Sequence, residues 1–130
     1  MQDSIFTKII KNEIPCHKIY EDDKNIAFLD IHPAQPGHVL VVPKKQVWWI
    51  WDLPDEDYHA LMEAVKKVGT RMHEALGPKR IGVSVEGEGV PHVHVHLIPF
   101  TTQAEFHHLA DQNAEPDHKA LAQMAKKLAF

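Results

Sequence analysis

A chain of 130 residues with 44% hydrophobic content suits one domain around one core and is too apolar to stay disordered. With 14 basic and 18 acidic residues the net charge is -4, which argues against general binding along a nucleic-acid backbone while leaving room for a pocket that takes one nucleotide. A single cysteine, Cys16, excludes an intrachain disulfide and any CxxC zinc motif; the start "MQDSIFTKII" has no signal-like apolar stretch, and the longest aliphatic run, "VLVV", is far short of a membrane span, so the expectation is a soluble cytoplasmic protein with no membrane partner.

In chain order, residues 4–12 read as a short helix with Ile5, Phe6, Ile9 and Ile10 on one side and Asp3 or Ser4 as cap. "HKIYE" and "IAFLD" flank the polar "DDKN" and read as a β-hairpin. "IHPAQPG" is a loop, and "HVLVVP" is a buried strand that ends at Pro43. "VWWIW" places Trp48, Trp49 and Trp51 together, read as a local packing cluster with an oligomer contact or pocket rim as the alternative. Residues 54–76 form the strongest helix, because Tyr58, Leu61, Met62, Val65, Val68, Met72 and Leu76 recur at three- and four-residue steps between Pro54 and the stop signal Gly77-Pro78. "RIGVSVE" and "HVHVHLIP" read as two strands joined by "GEGVP"; 101–115 is polar and irregular, and a last helix near 116–128 carries Leu121, Met124 and Leu128 on one face. This order specifies α+β with a mainly antiparallel sheet.

The run "HVHVHL" carries the chemistry. In a strand, successive side chains point to opposite faces, so His92, His94 and His96 share one face while Val93, Val95 and Leu97 turn to the core. A solvated histidine face is one reading, in a chain with 11 histidines. A metal site is another, but the outer pair of a straight strand lies about 13 Å apart, so three such imidazoles converge poorly on one ion. The third is nucleophilic catalysis at phosphorus: a neutral imidazole attacks near pH 7, leaves well once phosphorylated, and has its tautomer fixed by a backbone carbonyl.

The triad followed by Ile98-Pro99, with "SIFTKIIKNEIPCHKIYEDDKNIAFLDIHPAQPGHVLVVPKK" ahead of it, resembles the histidine-triad nucleotide-binding hydrolases over roughly residues 4–100. The resemblance implies an α+β fold with a five-stranded antiparallel sheet, a long central helix and a short N-terminal helix. It also implies a domain over 1–100, with 101–130 as a C-terminal helical extension packed on it. It makes His94 the nucleophile of a nucleotidyl-histidine intermediate, His96 and His38 donors to the phosphate oxygens, and His92 a supporting histidine. Asp30 would accept the ribose hydroxyls, and Phe6, Ile9, Phe28 and Ile31 would wall the base pocket. From the residues alone, Phe6, Ile9, Phe28 and Ile31 also read as core, Asp30 as a strand-end turn residue, and His38 as a satisfied histidine beside Gly37.

Two departures stand out. Where many relatives have a cysteine pair and a histidine that help bind a structural zinc, this chain has Ser4, Thr7 and Gln46, so no structural zinc is expected. The loop before the triad is the short "VEGEGVPH", with Glu88 and Gly89 where relatives carry a glutamine and a hydroxyl that contact the phosphate or leaving group. The expected activity is hydrolysis or transfer of a purine nucleoside phosphoramidate, mixed anhydride or dinucleotide by a homodimer, with no cofactor and no metal in the covalent step. The alternatives are a nucleotide-binding regulatory module with little turnover, or a histidine-rich metal binder.

Overall fold

Ser4 starts the fold: its hydroxyl accepts from the Thr7 N–H and so caps the helix α1, Ile5–Ile10. Phe6 and Ile9 are the buried side of α1, while Ile5 is exposed. The structure, a computed structural model, describes residues 2–130; Met1, where the expected domain begins, lies outside the described residues. The strands β1, Lys18–Glu21, and β2, Asn25–Leu29, form the expected hairpin, closed by the Asp22 carboxylate accepting from the N–H groups of Lys24 and Asn25. β3, Val39–Pro43, pairs antiparallel with β2 and is buried along its whole length. The long helix α2, Asp55–Leu76, ends at Gly77, and β4, Arg80–Ser84, and β5, Val95–Phe100, complete a five-stranded antiparallel sheet in the order β1-β2-β3-β5-β4.

The two faces of the sheet bury different things. On one face, Val39, Val41, Val93, Val95 and Leu97 pack under α2 through Leu61, Ala64, Val65, Val68 and Met72. Leu121 and Leu128 of the last helix, α4 (His118–Leu128), join the same cluster. On the other face, Phe6 and Ile9 of α1 pack on Ile26, Phe28, Leu40 and Val42.

Four expectations need correction. The triad strand begins at Val95, so His92 and His94 precede it. The β3 ladder stops at the Val41–Val95 pair because two residues further lies Pro43, which has no N–H; its carbonyl takes the His92 ring proton instead, and the Val93 N–H goes to the carbonyl of Val47. The strand read over 80–86 ends at Ser84. The segment 101–115 is not wholly irregular: α3, Gln103–Phe106, forms on a reciprocal cap between Thr102 and Glu105. Phe106 lies over Gly82, where an added Cβ would sit 2.2 Å from its ring. Finally, the tryptophans pack locally only in part: Trp48 and Trp49 stack with centroids 5.1 Å apart, but Trp48, Trp49 and Trp51 are 51%, 47% and 86% exposed, because they sit on a surface loop and a 3-10 turn at Ile50–Asp52.

Candidate active site

On the α1 face a cavity of about 550 Å³ opens, a size typical of small-molecule sites. Phe6, Ile9, Phe28 and Ile31 line it, together with Asp30, Glu88, Gly89, His94 and His96. Phe6, Ile9 and Phe28 therefore serve both as core and as wall. His92 and His38 do not line it; each stands behind a histidine that does.

Hydrogen-bond partners, most of them backbone groups, set the tautomer of all four rings. His92 Nε2–H donates to the Pro43 carbonyl at 2.7 Å, so its Nδ1 accepts from the Ser4 hydroxyl, also at 2.7 Å. The His92 carbonyl in turn accepts from His94 Nδ1–H at 2.8 Å, which leaves the lone pair of His94 on Nε2. On the other side, the Ala34 N–H donates to His38 Nδ1 at 3.0 Å, so the proton of His38 is on Nε2 and is given to His96 Nδ1 at 2.9 Å. His96 is left with an N–H at Nε2. A lone pair on His94 and a donor on His96 thus stand side by side, their ring centroids 4.9 Å apart.

Burial keeps the supporting rings neutral. Loss of hydration, with smaller contributions from His96 and His94, pushes His38 down to about 3. The same effect, with His94 second, brings His96 down to about 4. Burial also lowers His92, against the hydrogen bond to Pro43. The Asp30 carboxyl is pushed up by its burial, opposed by the His32 N–H that donates to its Oδ1 at 2.9 Å. Asp30 reaches this place because its N–H donates to the His38 carbonyl, which joins the ends of β2 and β3.

The sequence pattern of the HIT domain matches residues 11–103. This chain belongs to the HIT, or histidine-triad, family. Adenosine 5'-monophosphoramidase of Schizosaccharomyces pombe is 40% identical over 100 residues, which cover 73% of this chain and 72% of that protein. Among solved structures, a HIT-like protein of Bartonella henselae superimposes with a TM-score of 0.82 at 34% identity, covering 97% of this chain and 94% of that one. A histidine triad nucleotide-binding protein of Candida albicans gives a TM-score of 0.72 at 30% identity, over 97% and 94% of the two chains.

In this HIT protein Ser4, Thr7 and Gln46 converge on His92, but as a hydrogen-bonded knot. Gln46 Oε1 accepts from the Thr7 hydroxyl at 2.6 Å and the Ser4 N–H at 2.8 Å, and the Gln46 amide donates to the Gln2 carbonyl at 2.8 Å. Ligands of one tetrahedral zinc stand roughly 3.3–3.7 Å apart, and thiolates supply much of such a site's affinity. The 2.7 Å contact between Ser4 and His92 has a proton in it, and no thiolate is near, so this donor set does not fit zinc. A second trio, Asp30, His38 and His96, holds its ligand atoms within 4.8 Å of one another. It does not fit a cation either, because the Ala34 N–H on His38 Nδ1 forces the proton onto the Nε2 that a metal would need.

The sequence reading missed several lining residues: Glu86, His32, Cys16 and Gln112 among them. Glu86 Oε1 lies 4.0 Å from His96 Nε2, and its place in the strand-to-loop passage just after β4 was the available signal. In the loop that follows, Gly87 has φ of 71°, and a Cβ there would meet the Trp49 ring at 2.8 Å. For Gln112 no local signal exists.

Proposed function

We propose that this chain is a histidine-triad hydrolase or transferase that cleaves a purine nucleoside phosphate derivative through a nucleotidyl-histidine intermediate. The observation that carries the reading is the His94 tautomer: its Nδ1 proton is held by the His92 carbonyl, and it lines the cavity beside the His96 donor. The base stacks between Phe6, Ile9, Phe28 and Ile31, and the half-buried Asp30 carboxylate accepts from the ribose hydroxyls. His94 Nε2 then attacks the α-phosphorus while the bond to the leaving group breaks, its electron pair departing with that group, which takes a proton from solvent. His96 Nε2–H donates to a phosphoryl oxygen as charge builds there. His38 holds His96 in the donating tautomer, and His92 does the same for the nucleophile. Water next attacks phosphorus, the bond to His94 breaks, and a nucleoside monophosphate leaves. The yeast relative's name, adenosine 5'-monophosphoramidase, supports an amine as leaving group.

The test is intact-mass detection of a nucleotidyl adduct after mixing with a panel of adenosine phosphoramidates, mixed anhydrides and dinucleotides. An adduct on the wild type that is absent from His94→Ala is expected; no adduct with any substrate, with nucleoside monophosphate still bound, would favour the alternative of a binding module with little turnover. Two carboxylates on the cavity, Glu86 and Glu88, favour that second reading, since ionised they repel a phosphate.

We also propose a homodimer with a reduced, cytoplasmic setting. β4 is an edge strand with Val83 52% exposed, and Val85, Met62 and the tryptophans continue the apolar patch around it. Light scattering that gave a 14.8 kDa species at high concentration would refute the dimer. Among the described residues, no helix is long and apolar enough to cross a membrane.

A further inference from the structure

The segment after α3 lies beyond the HIT match, which stops at residue 103, yet it reaches the cavity. Three side chains from the β1–β3 part of the chain hold it down. Gln35 donates its amide N–H to the Glu105 carbonyl at 3.0 Å, and His32 Nε2–H donates to the Ala114 carbonyl at 3.1 Å. His17 and His118 share a hydrogen bond of 2.9 Å where α4 begins. Between these ties the chain turns: the Asp111 carboxylate accepts from the Asn113 N–H at 2.9 Å and the Asp111 carbonyl from the Ala114 N–H at 3.2 Å. Gln112 is the residue this turn presents at the cavity mouth, two positions from the anchor on His32, which itself follows the Ile31 wall.

The chemistry of the lining gives Gln112 a particular place. Phe6, Ile9, Phe28 and Ile31 stack on any base and discriminate little. Asp30, Glu86 and Glu88 are carboxylates, and His94 and His96 are committed to phosphorus. Gln112 is the one carboxamide on the wall, with a donor and an acceptor side by side. Among the described residues its only internal side-chain bond, to the Ala110 carbonyl, is 3.5 Å long, so the amide is available at little cost. A carboxamide pairs with the adjacent donor and acceptor of adenine, N6–H and N7, whereas guanine offers two acceptors along that edge.

We propose that Gln112, carried over the cavity by the C-terminal extension, is a specificity-determining residue that reads the base edge and selects adenine over guanine. The inference rests on the nucleotide reading above. It makes the extension part of the substrate site, beyond its packing through Leu121 and Leu128.

The experiment compares wild type, Gln112→Ala and Leu109→Ala, using calorimetric binding of AMP and GMP together with turnover of the matching phosphoramidates. Leu109 is 91% exposed on the same segment and off the cavity wall, so its variant controls for general loosening. Gln112→Ala should weaken AMP binding and raise KM for the adenosine substrate about tenfold, with a smaller change in kcat, and bring the adenine-to-guanine ratio near one. Leu109→Ala should match the wild type. An unchanged base ratio in Gln112→Ala, at the wild-type melting temperature, overturns the inference and leaves the nucleotide reading standing. Binding of AMP with the expected ratio but no adduct in any variant would support the role of Gln112 while removing the hydrolase reading. A wild type that binds neither nucleotide overturns both.

Discussion

His92 and His94 are two residues apart, both pack against the Phe6 ring, and both are buried, at 0% and 6% exposure. Their surroundings differ in one respect. Around His92 every ring nitrogen has a partner: Pro43 takes its proton, and Ser4, itself tied to Thr7 and Gln46, gives one back. Around His94 one nitrogen is held by the His92 carbonyl and the ring borders the cavity. The first is a closed polar knot that fixes geometry, and the second is the proposed nucleophile, whose direction that geometry would set. Burial alone does not separate a structural histidine from a reactive one; the count of ring partners does.

The largest break of this contrast is His94→Ala. Single-turnover cleavage of an adenosine phosphoramidate should fall at least about a thousandfold with the melting temperature nearly unchanged, because a nucleophile has no substitute. A near-normal rate would remove His94 from the covalent step. The matching change on the other side is Ser4→Ala, which leaves the buried Nδ1 of His92 only the long 3.4 Å contact with the Thr7 hydroxyl, at a cost of about 1–3 kcal/mol. It should lower the melting temperature by several degrees and reduce kcat more than it raises KM, and Ser4→Thr should restore most of both. Metal content sharpens the same comparison. Elemental analysis should find no tightly held zinc in the wild type, whereas the combined change Ser4→Cys, Thr7→Cys and Gln46→His should gain it.

Acid should act on the ring pair behind the nucleophile. His38 and His96 have folded values of about 3 and about 4, below the unfolded 6.5. The unfolded chain therefore takes up protons first, so the stability these rings contribute is present above pH 6.5 and is lost as pH falls from there toward about 4 for His96 and about 3 for His38. Melting temperature measured against pH should stay flat on the neutral side and decline over that window, and His38→Gln should flatten the decline. The smallest expected effect is at the loop. Glu86→Gln and Glu88→Gln each remove a repulsion toward phosphate and should speed the chemical step a fewfold, Glu86 more, since its carboxylate is 4.0 Å from His96. Slower chemistry in either variant would mean that the carboxylate has a positive role.

Much of this protein is legible in its residues. The helical steps from Tyr58 to Leu76, the apolar runs of β2 and β3, and the stop at Gly77 are local patterns, and local patterns decide where a helix or a strand begins and ends. The resemblance around "FLDI", "PGHVLVVPK" and "HVHVHL" was enough to name the HIT family and to nominate Asp30 and the histidines. Other features were out of reach of spacing. An alternating run reads as a strand throughout, and only the meeting of Pro43 with His92 across the sheet ends β5 at Val95. Which histidine nitrogen carries a proton depends on Ala34, Pro43 and Ser4, which lie elsewhere in the chain.

The sequence by itself determined the family, through three imidazoles ahead of Ile98-Pro99, and the kind of fold, through periodicity that a strand or helix must satisfy nearest neighbour by nearest neighbour. The tertiary structure alone decided which imidazoles face the cavity. It alone joined Ser4, Thr7 and Gln46 into a knot behind His94 and brought Gln112 to the cavity mouth. The reason is that a side chain's partners in a folded protein are set by distance in space, and Ser4 and His92 stand 88 positions apart along the chain while 2.7 Å apart across the core.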